Sequence, residues 1–238
     1  MSTPHIEAEL GEIAKIVLMP GDPKRAEFIA KNYLTGARLI NVLRSMNAYT
    51  GYYKGVEVTI FPSGMGMPSM GIYSHELYDF YDVDVIIRIG SAGSYNKDLK
   101  LFDIFLSNSA YSETNFDEES INKDLEIINA SIEINNIIKE TAKKLDIDIK
   151  EGRVHTSETF YTSNQSVKEE ALKHGCDIVE MENYSLLVNA KKFHKKATGI
   201  FTITDELYSD NRMDAKSREL KLNTMITLAL ESVINLKK

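Results

Sequence analysis

The stretch Asp84-Val85-Ile86-Ile87-Arg88-Ile89-Gly90-Ser91-Ala92-Gly93 narrows the folds open to this chain more than any other. A short apolar run of this kind reads as a buried strand, here ending in a turn of small residues. Arg88 lies inside the run, and a buried cation is costly unless it meets a partner. Such an arginine is either half of a structural ion pair with a buried carboxylate or part of an anion site. In open α/β sheets, ligands collect beyond the carboxyl ends of strands, where residues 90–93 stand.

The rest of the chain alternates strand and helix signals. Lys15-Ile16-Val17-Leu18-Met19 stops at Pro20-Gly21, after which Asp22 caps a helix that Pro23 opens. Residues 49–53 and 56–61 flank Lys54-Gly55 and read as a hairpin. Further strands are expected at 103–107, 149–157 and 197–204. Helices are expected at 68–81, 131–145, 166–174 and 183–193, and the stripe Leu222, Ile226, Ala229, Val233, Leu236 adds an amphipathic C-terminal helix. This alternation predicts an α/β fold, a three-layer αβα sandwich around a central mixed β-sheet. A length of 238 residues fits one domain spanning 1–238.

Composition excludes several roles. A net charge of −7 argues against a nucleic-acid partner, which would leave a basic stripe. No apolar run approaches the roughly 20 residues that span a bilayer, and the first residues lack the basic-then-apolar pattern of a secretory leader. Cys176 is the single cysteine, which suits a reducing compartment and makes the cytoplasm the expected location. No His/Cys/Asp cluster has metal-ligand spacing, so no metal is expected.

Five constellations can carry chemistry. Met19-Pro20-Gly21-Asp22-Pro23-Lys24-Arg25 joins a strand end to a helix N-terminus bearing an arginine, an arrangement that favours anions but also fits a plain turn. The turn after Arg88 adds backbone amides and the Ser91 hydroxyl. Ser63-Gly64-Met65-Gly66-Met67-Pro68-Ser69 allows close backbone approach, yet it is neither a P-loop nor a dinucleotide fingerprint. Val179-Glu180-Met181-Glu182-Asn183 brings paired carboxylates to a helix start, where they can bind a ribose diol, act as acid and base, or cap the helix. Thr202-Ile203-Thr204-Asp205-Glu206 places a carboxylate at the end of a strong strand, as a turn residue or a general acid.

Taken in order, these motifs resemble the hexameric, bacterial-type purine nucleoside phosphorylases of the nucleoside phosphorylase superfamily. The likeness runs from Thr3-Pro4-His5-Ile6 to Leu228-Ala229-Leu230-Glu231-Ser232. It implies phosphorolysis of a purine nucleoside, with inorganic phosphate as co-substrate and no cofactor. Gly21, Arg25, Arg88 and Ser91 match phosphate-binding positions. Arg44 and His5 match residues that the family donates across a dimer interface, in a homohexamer built as a trimer of dimers. Met181 and Glu182 match the ribose pair, Met65 packs on the sugar, and Phe160, Val179, Glu180 and Thr204 line the base pocket. Asp205 matches the general acid to purine N7 and Arg218 the arginine that assists it. Thr204 departs from the serine of the bacterial pattern but keeps a hydroxyl.

Three other readings compete. A uridine phosphorylase would carry a glutamine and an arginine soon after Thr159-Phe160-Tyr161, where this chain has Thr162-Ser163-Asn164-Gln165-Ser166-Val167. A methylthioadenosine nucleosidase-like hydrolase would not need Arg25, Arg44 and Arg88. A non-catalytic nucleoside or anion sensor would be expected to lose Asp205 or Arg218.

Overall fold

The computed structural model describes residues 2–114, 116, 127–161, 165–209, 211–214, 217 and 222–236. The strands are β1 (Ile16–Pro20), β2 (Thr35–Asn41), β3 (Ala48–Tyr53), β4 (Val56–Ile60), β5 (Val85–Ser94), β6 (Ile104–Tyr111), β7 (Ile127–Asn129), β8 (Ile149–Thr156), β9 (Cys176–Glu180) and β10 (Lys196–Glu206). The helices are α1 (Pro23–Tyr33), α2 (Met67–Asp79), α3 (Ile132–Lys144), α4 (Gln165–Lys173), α5 (Asn183–Lys192) and α6 (Asn223–Leu236), with a short 3₁₀ turn at Leu43–Ser45.

Side chains alternate across the strands, so each strand feeds two cores. Val17 and Met19 of β1 and Ile86 of β5 join Met67, Met70 and Leu77 of α2 and Leu186, Leu187 and Val188 of α5. Ile16, Leu18, Val85, Ile87 and Ile89 face the other way, onto Ala26 and Ile29 of α1, Ile134 and Ile138 of α3, and Met225, Ile226 and Ala229 of α6. Helices therefore cover both faces of a central mixed sheet, as the strand–helix alternation predicts.

Among the described residues the sheet has ten strands, with β2, β3, β4, β1 and β5 in sequence across one half. In the other half β5 pairs with both β10 and β9, and β10–β6–β8–β9 closes the circuit back to β5. The expected hairpin joins β3 to β4, with Tyr53 opposite Val56. Lys54 at φ 46° and Gly55 at φ 82° supply the two positive φ values that such a two-residue turn needs.

Two expected strand ends are displaced, and both displacements shape the site. Residues 90–93 are not a turn. β5 continues to Ser94 because β10 pairs with it through Gly93 and Ser94, and β9 takes the opposite edge at the same residues. Gly90 is required for packing instead: a Cβ there would lie 2.9 Å from Nη2 of Arg88. β10 likewise runs on through Asp205 and Glu206, with a register shift between Ile203 and Asp205 against β5. That bulge sets Asp205 opposite Gly93, and bulges commonly re-aim a side chain in this way.

Strands β2, β7 and β9 lie outside the strands that the sequence predicts. Most of β2 is solvent-exposed and shows no apolar alternation, while β7 is three residues long on β6. Among the described residues, no helix is long and apolar enough to cross a membrane.

Candidate active site

A cavity of about 660 Å³ opens at the carboxyl ends of β1, β5, β9 and β10. Gly21, Arg25, Arg88, Ser91, Met65, Phe160, Val179, Glu180, Met181, Glu182, Thr204 and Asp205 all line it. These residues lie as far as 184 positions apart (Gly21 to Asp205, 205 − 21), and the sheet topology brings them together.

Arg88 leaves β5 on the α2/α5 face and is 4% exposed. Its Nε donates to Oε2 of Glu180 at 2.8 Å, its Nη2 donates to Oε2 of Glu182, and its guanidinium lies 5.6 Å from the centroid of the Phe201 ring. The ion-pair reading of Arg88 is therefore realised. It does not use up the residue, because the buried Nη1 has no hydrogen-bond partner among the described residues.

Arg25, in the first turn of α1, is in the same position. Its buried Nε also lacks a partner among the described residues. Burial lowers its pKa first, Asp22 opposes that shift, and the Arg88 charge adds to it. Two like charges thus hold unused donors at one end of one cavity. An uncompensated buried donor is expensive, and an anion seated there would satisfy both. Gly21 leaves the space: a Cβ on it would lie 3.4 Å from the Gly64 carbonyl and 3.9 Å from Nη1 of Arg88. The α1 N-terminus is capped by Asp22, whose Oδ1 accepts from the Lys24 amide at 2.9 Å.

The two neighbouring carboxylates divide the work. Glu180 is saturated: besides Arg88 it accepts from Oγ1 of Thr156 at 2.6 Å and from the amides of Glu182 and Asn183 at 2.9 Å. Its side chain therefore caps α5 and anchors Arg88. Glu182 accepts from the Gly66 amide at 2.6 Å and from Arg88. Burial raises its carboxyl above the ordinary carboxylate range, against the pull of Arg88 and with the push of Glu180. A carboxylate offers about four acceptor positions, so Glu182 retains capacity that Glu180 has spent. Gly66, at φ 88°, caps α2 and turns its amide to Glu182.

At the opposite end Asp205 is half-buried, and Oγ1 of Thr204 donates to its Oδ2 at 2.8 Å. The threonine hydroxyl thus sits on the carboxylate as well as near the Ala92 carbonyl at 3.4 Å. Met65 and Phe160 form a largely exposed apolar rim, joined by Tyr161 and Leu207. Arg218 lies outside the described residues, as do positions 162–164.

His5 and Arg44 do not line this chain's cavity. They cluster elsewhere. Nδ1 of His5 is 2.6 Å from Oε1 of the buried Glu76, whose other oxygen accepts from Thr3. The His5 ring stands edge-on to Tyr73 at 6.2 Å. Burial raises the Tyr73 hydroxyl, and the nearby Arg44 charge opposes the shift.

Sequence reasoning missed a support behind the wall. Tyr95, past the end of β5, holds its hydroxyl 2.9 Å from Nδ1 of the buried His155 on β8. Nε2 of His155 lies 2.8 Å from Glu113, past the end of β6. No local pattern marks these residues, since each comes from a different strand.

The site thus lies at strand ends, where two arginines with unpartnered buried nitrogens and Asp205 line one cavity. The chain belongs to the phosphorylase superfamily, whose sequence model matches residues 15–233. It is 41% identical over 232 residues to a Mycoplasma genitalium protein named purine nucleoside phosphorylase DeoD-type, covering 96% of this chain and 97% of that one. A protein of the same name from Colwellia psychrerythraea is 39% identical over 234 residues, covering 98% of this chain and 100% of the relative. The fold also matches a crystal structure of purine nucleoside phosphorylase from Toxoplasma gondii in complex with immucillin-H. That match has a TM-score of 0.90 at 22% identity, over 99% of this chain and 96% of the other.

Proposed function

We propose that this chain is a purine nucleoside phosphorylase that reversibly converts purine (2′-deoxy)ribonucleosides and phosphate into free base and (deoxy)ribose 1-phosphate. The observation that carries the reading is the pair of unused buried donors, Nε of Arg25 and Nη1 of Arg88, in the cavity that also holds Asp205. Phosphate held there by Arg25 and Arg88, with Gly21 and Ser91, would stand below the anomeric carbon. Bidentate guanidinium groups suit such an anion.

In the reaction, the C1′–N9 bond breaks as a phosphate oxygen bonds to C1′. The bonding pair leaves with the purine, and a proton from Asp205 arrives at N7. Positive charge building on the sugar is met by phosphate, and negative charge on the base by that proton. Positioned charges in a largely dry site are often the largest single contribution to catalysis. Glu182 would accept from the ribose hydroxyls, with Met181 and Met65 against the sugar. Phe160, Thr204 and the backbone at Val179 and Glu180 would border the base. Arg218 would assist Asp205. Atoms balance with nucleoside and phosphate alone, so the reaction calls for no cofactor and no metal.

His5 and Arg44, absent from their own chain's cavity, would reach a neighbouring subunit's ribose and phosphate in a homohexamer. An Arg44→Ala chain with an unchanged phosphate KM would remove Arg44 from that role. We read residues 1–238 as one cytoplasmic domain. The decisive assay is purine release from inosine and adenosine, and base release from uridine, with and without phosphate. Phosphate-dependent purine release is expected. Release that persists undiminished without phosphate would overturn the reading in favour of a hydrolase, and preferential uridine cleavage in favour of a pyrimidine enzyme.

A further inference from the structure

β6 flanks β10 only at residues 200–202. Further along, residues 211–213 take over that edge of β10. The Met213 amide donates to the Thr204 carbonyl at 2.8 Å, and the Glu206 amide donates to the Asn211 carbonyl at 2.9 Å. Asp205 and Arg212 are the antiparallel pair enclosed between these two bonds. In such a narrow pair the Cα atoms approach to about 4.5 Å and the two side chains project from the same face. Both residues line the cavity. Asp205 and the exposed Arg212 therefore leave the ladder side by side on the cavity face.

This placement is built into the hairpin. The Glu206 carboxylate accepts from Oγ of Ser209 and Nδ2 of Asn211, both at 3.0 Å, and from the Leu101 amide at 3.2 Å. The Leu207 amide donates to the Ser94 carbonyl at 2.9 Å, tying the hairpin to the end of β5. Glu206 is buried and its carboxyl lies below the ordinary range, chiefly through the Asn211 hydrogen bond.

We propose that Arg212 is a specificity-determining residue that selects 6-oxo over 6-amino purines by donating to O6. The inference rests on the function proposed above. On a purine, N7 and the 6-substituent are adjacent on one edge, so an acid at N7 sets its lateral neighbour beside position 6. A guanidinium has donors and no acceptor. It can bond to a carbonyl oxygen, whereas a 6-amino group would face it donor to donor. As the glycosidic bond breaks, negative charge spreads from the imidazole ring onto O6. The contact therefore strengthens in the transition state and acts on kcat more than on KM.

The test compares phosphorolysis of inosine and adenosine by the unmodified chain, Arg212→Gln and Arg212→Lys, each checked for unchanged thermal unfolding. The unmodified chain is expected to favour inosine. In Arg212→Gln the inosine-to-adenosine ratio of kcat/KM should fall about tenfold, the scale of one partly solvated charged hydrogen bond, and the loss should sit in the inosine kcat. Lysine, a point charge without the planar fork, should restore part of the ratio. A ratio that Arg212→Gln leaves unmoved, or an unmodified chain that favours adenosine, would overturn the proposal while leaving the phosphorylase reading intact. Absence of phosphate-dependent purine release from either nucleoside would overturn that reading, and this inference with it.

Discussion

At the inner end of the cavity Arg88 and Glu182 are each 4% exposed, whereas at its mouth Met65 is 85% and Phe160 67% exposed. The inner groups are held from several sides: Arg88 by two carboxylates, Glu180 by amides and a hydroxyl, Glu182 by Gly66. Low dielectric makes each of these contacts strong and each omission costly. Among the described residues the rim is held by apolar contacts such as Phe160 edge-on to Tyr161 at 5.0 Å. One end is thus fixed before any ligand arrives, as a site for a small charged group must be. The other offers apolar surface, which would suit the flat base proposed to bind there.

That contrast can be broken at defined points. The largest effect is expected for Asp205→Ala, which removes the proposed acid. Turnover should fall about 10²–10⁴-fold, the usual worth of such a group, with nucleoside affinity mostly kept. Single-turnover rates and equilibrium binding separate the two quantities, and full activity would exclude Asp205 as the acid. Next is Glu180→Ala, which leaves Arg88 and the α5 amides without their shared acceptor. A loss of about 3–5 kcal/mol in unfolding free energy is expected, read from denaturant titration. A loss below about 1 kcal/mol would show that Glu182 alone neutralises Arg88. The smallest effect belongs to Met65→Ala. Being a surface substitution, it should change stability by less than about 0.5 kcal/mol while raising the nucleoside KM a few-fold. An unchanged KM would take Met65 out of the sugar contact.

Much of the fold could be read from the chain. The runs at β1, β5 and β10 are apolar, end at glycine or polar residues, and alternate with helices whose stripes face them, which forces a layered α/β arrangement. The Lys54-Gly55 turn and the Asp22-Pro23 helix start follow from local backbone preferences alone. What failed to read correctly were features whose cause is non-local. Residues 90–93 carry turn-like glycines, yet they stay in a strand because β9 and β10 hold both edges. Strand β2 is exposed and has no pattern of its own; its pairing with β3 makes it a strand.

The site divides along the same line. The types of group that the proposed reaction needs are present in sequence order: arginines for an anion, carboxylates for a diol and a proton, glycines for close approach. Sequence could not decide between capping and ligand binding for Glu180 and Glu182, because both lie at one helix start. The structure separates them by counting acceptors already used. Nor could it pair Asp205 with Arg212, seven residues on (212 − 205), since hairpin register depends on which carbonyls and amides close the ladder. By itself, then, the sequence determined the layers and the chemical inventory, through local preference and burial. The tertiary structure decided which charges neutralise one another and which remain available, because that depends on distances between residues the chain keeps far apart.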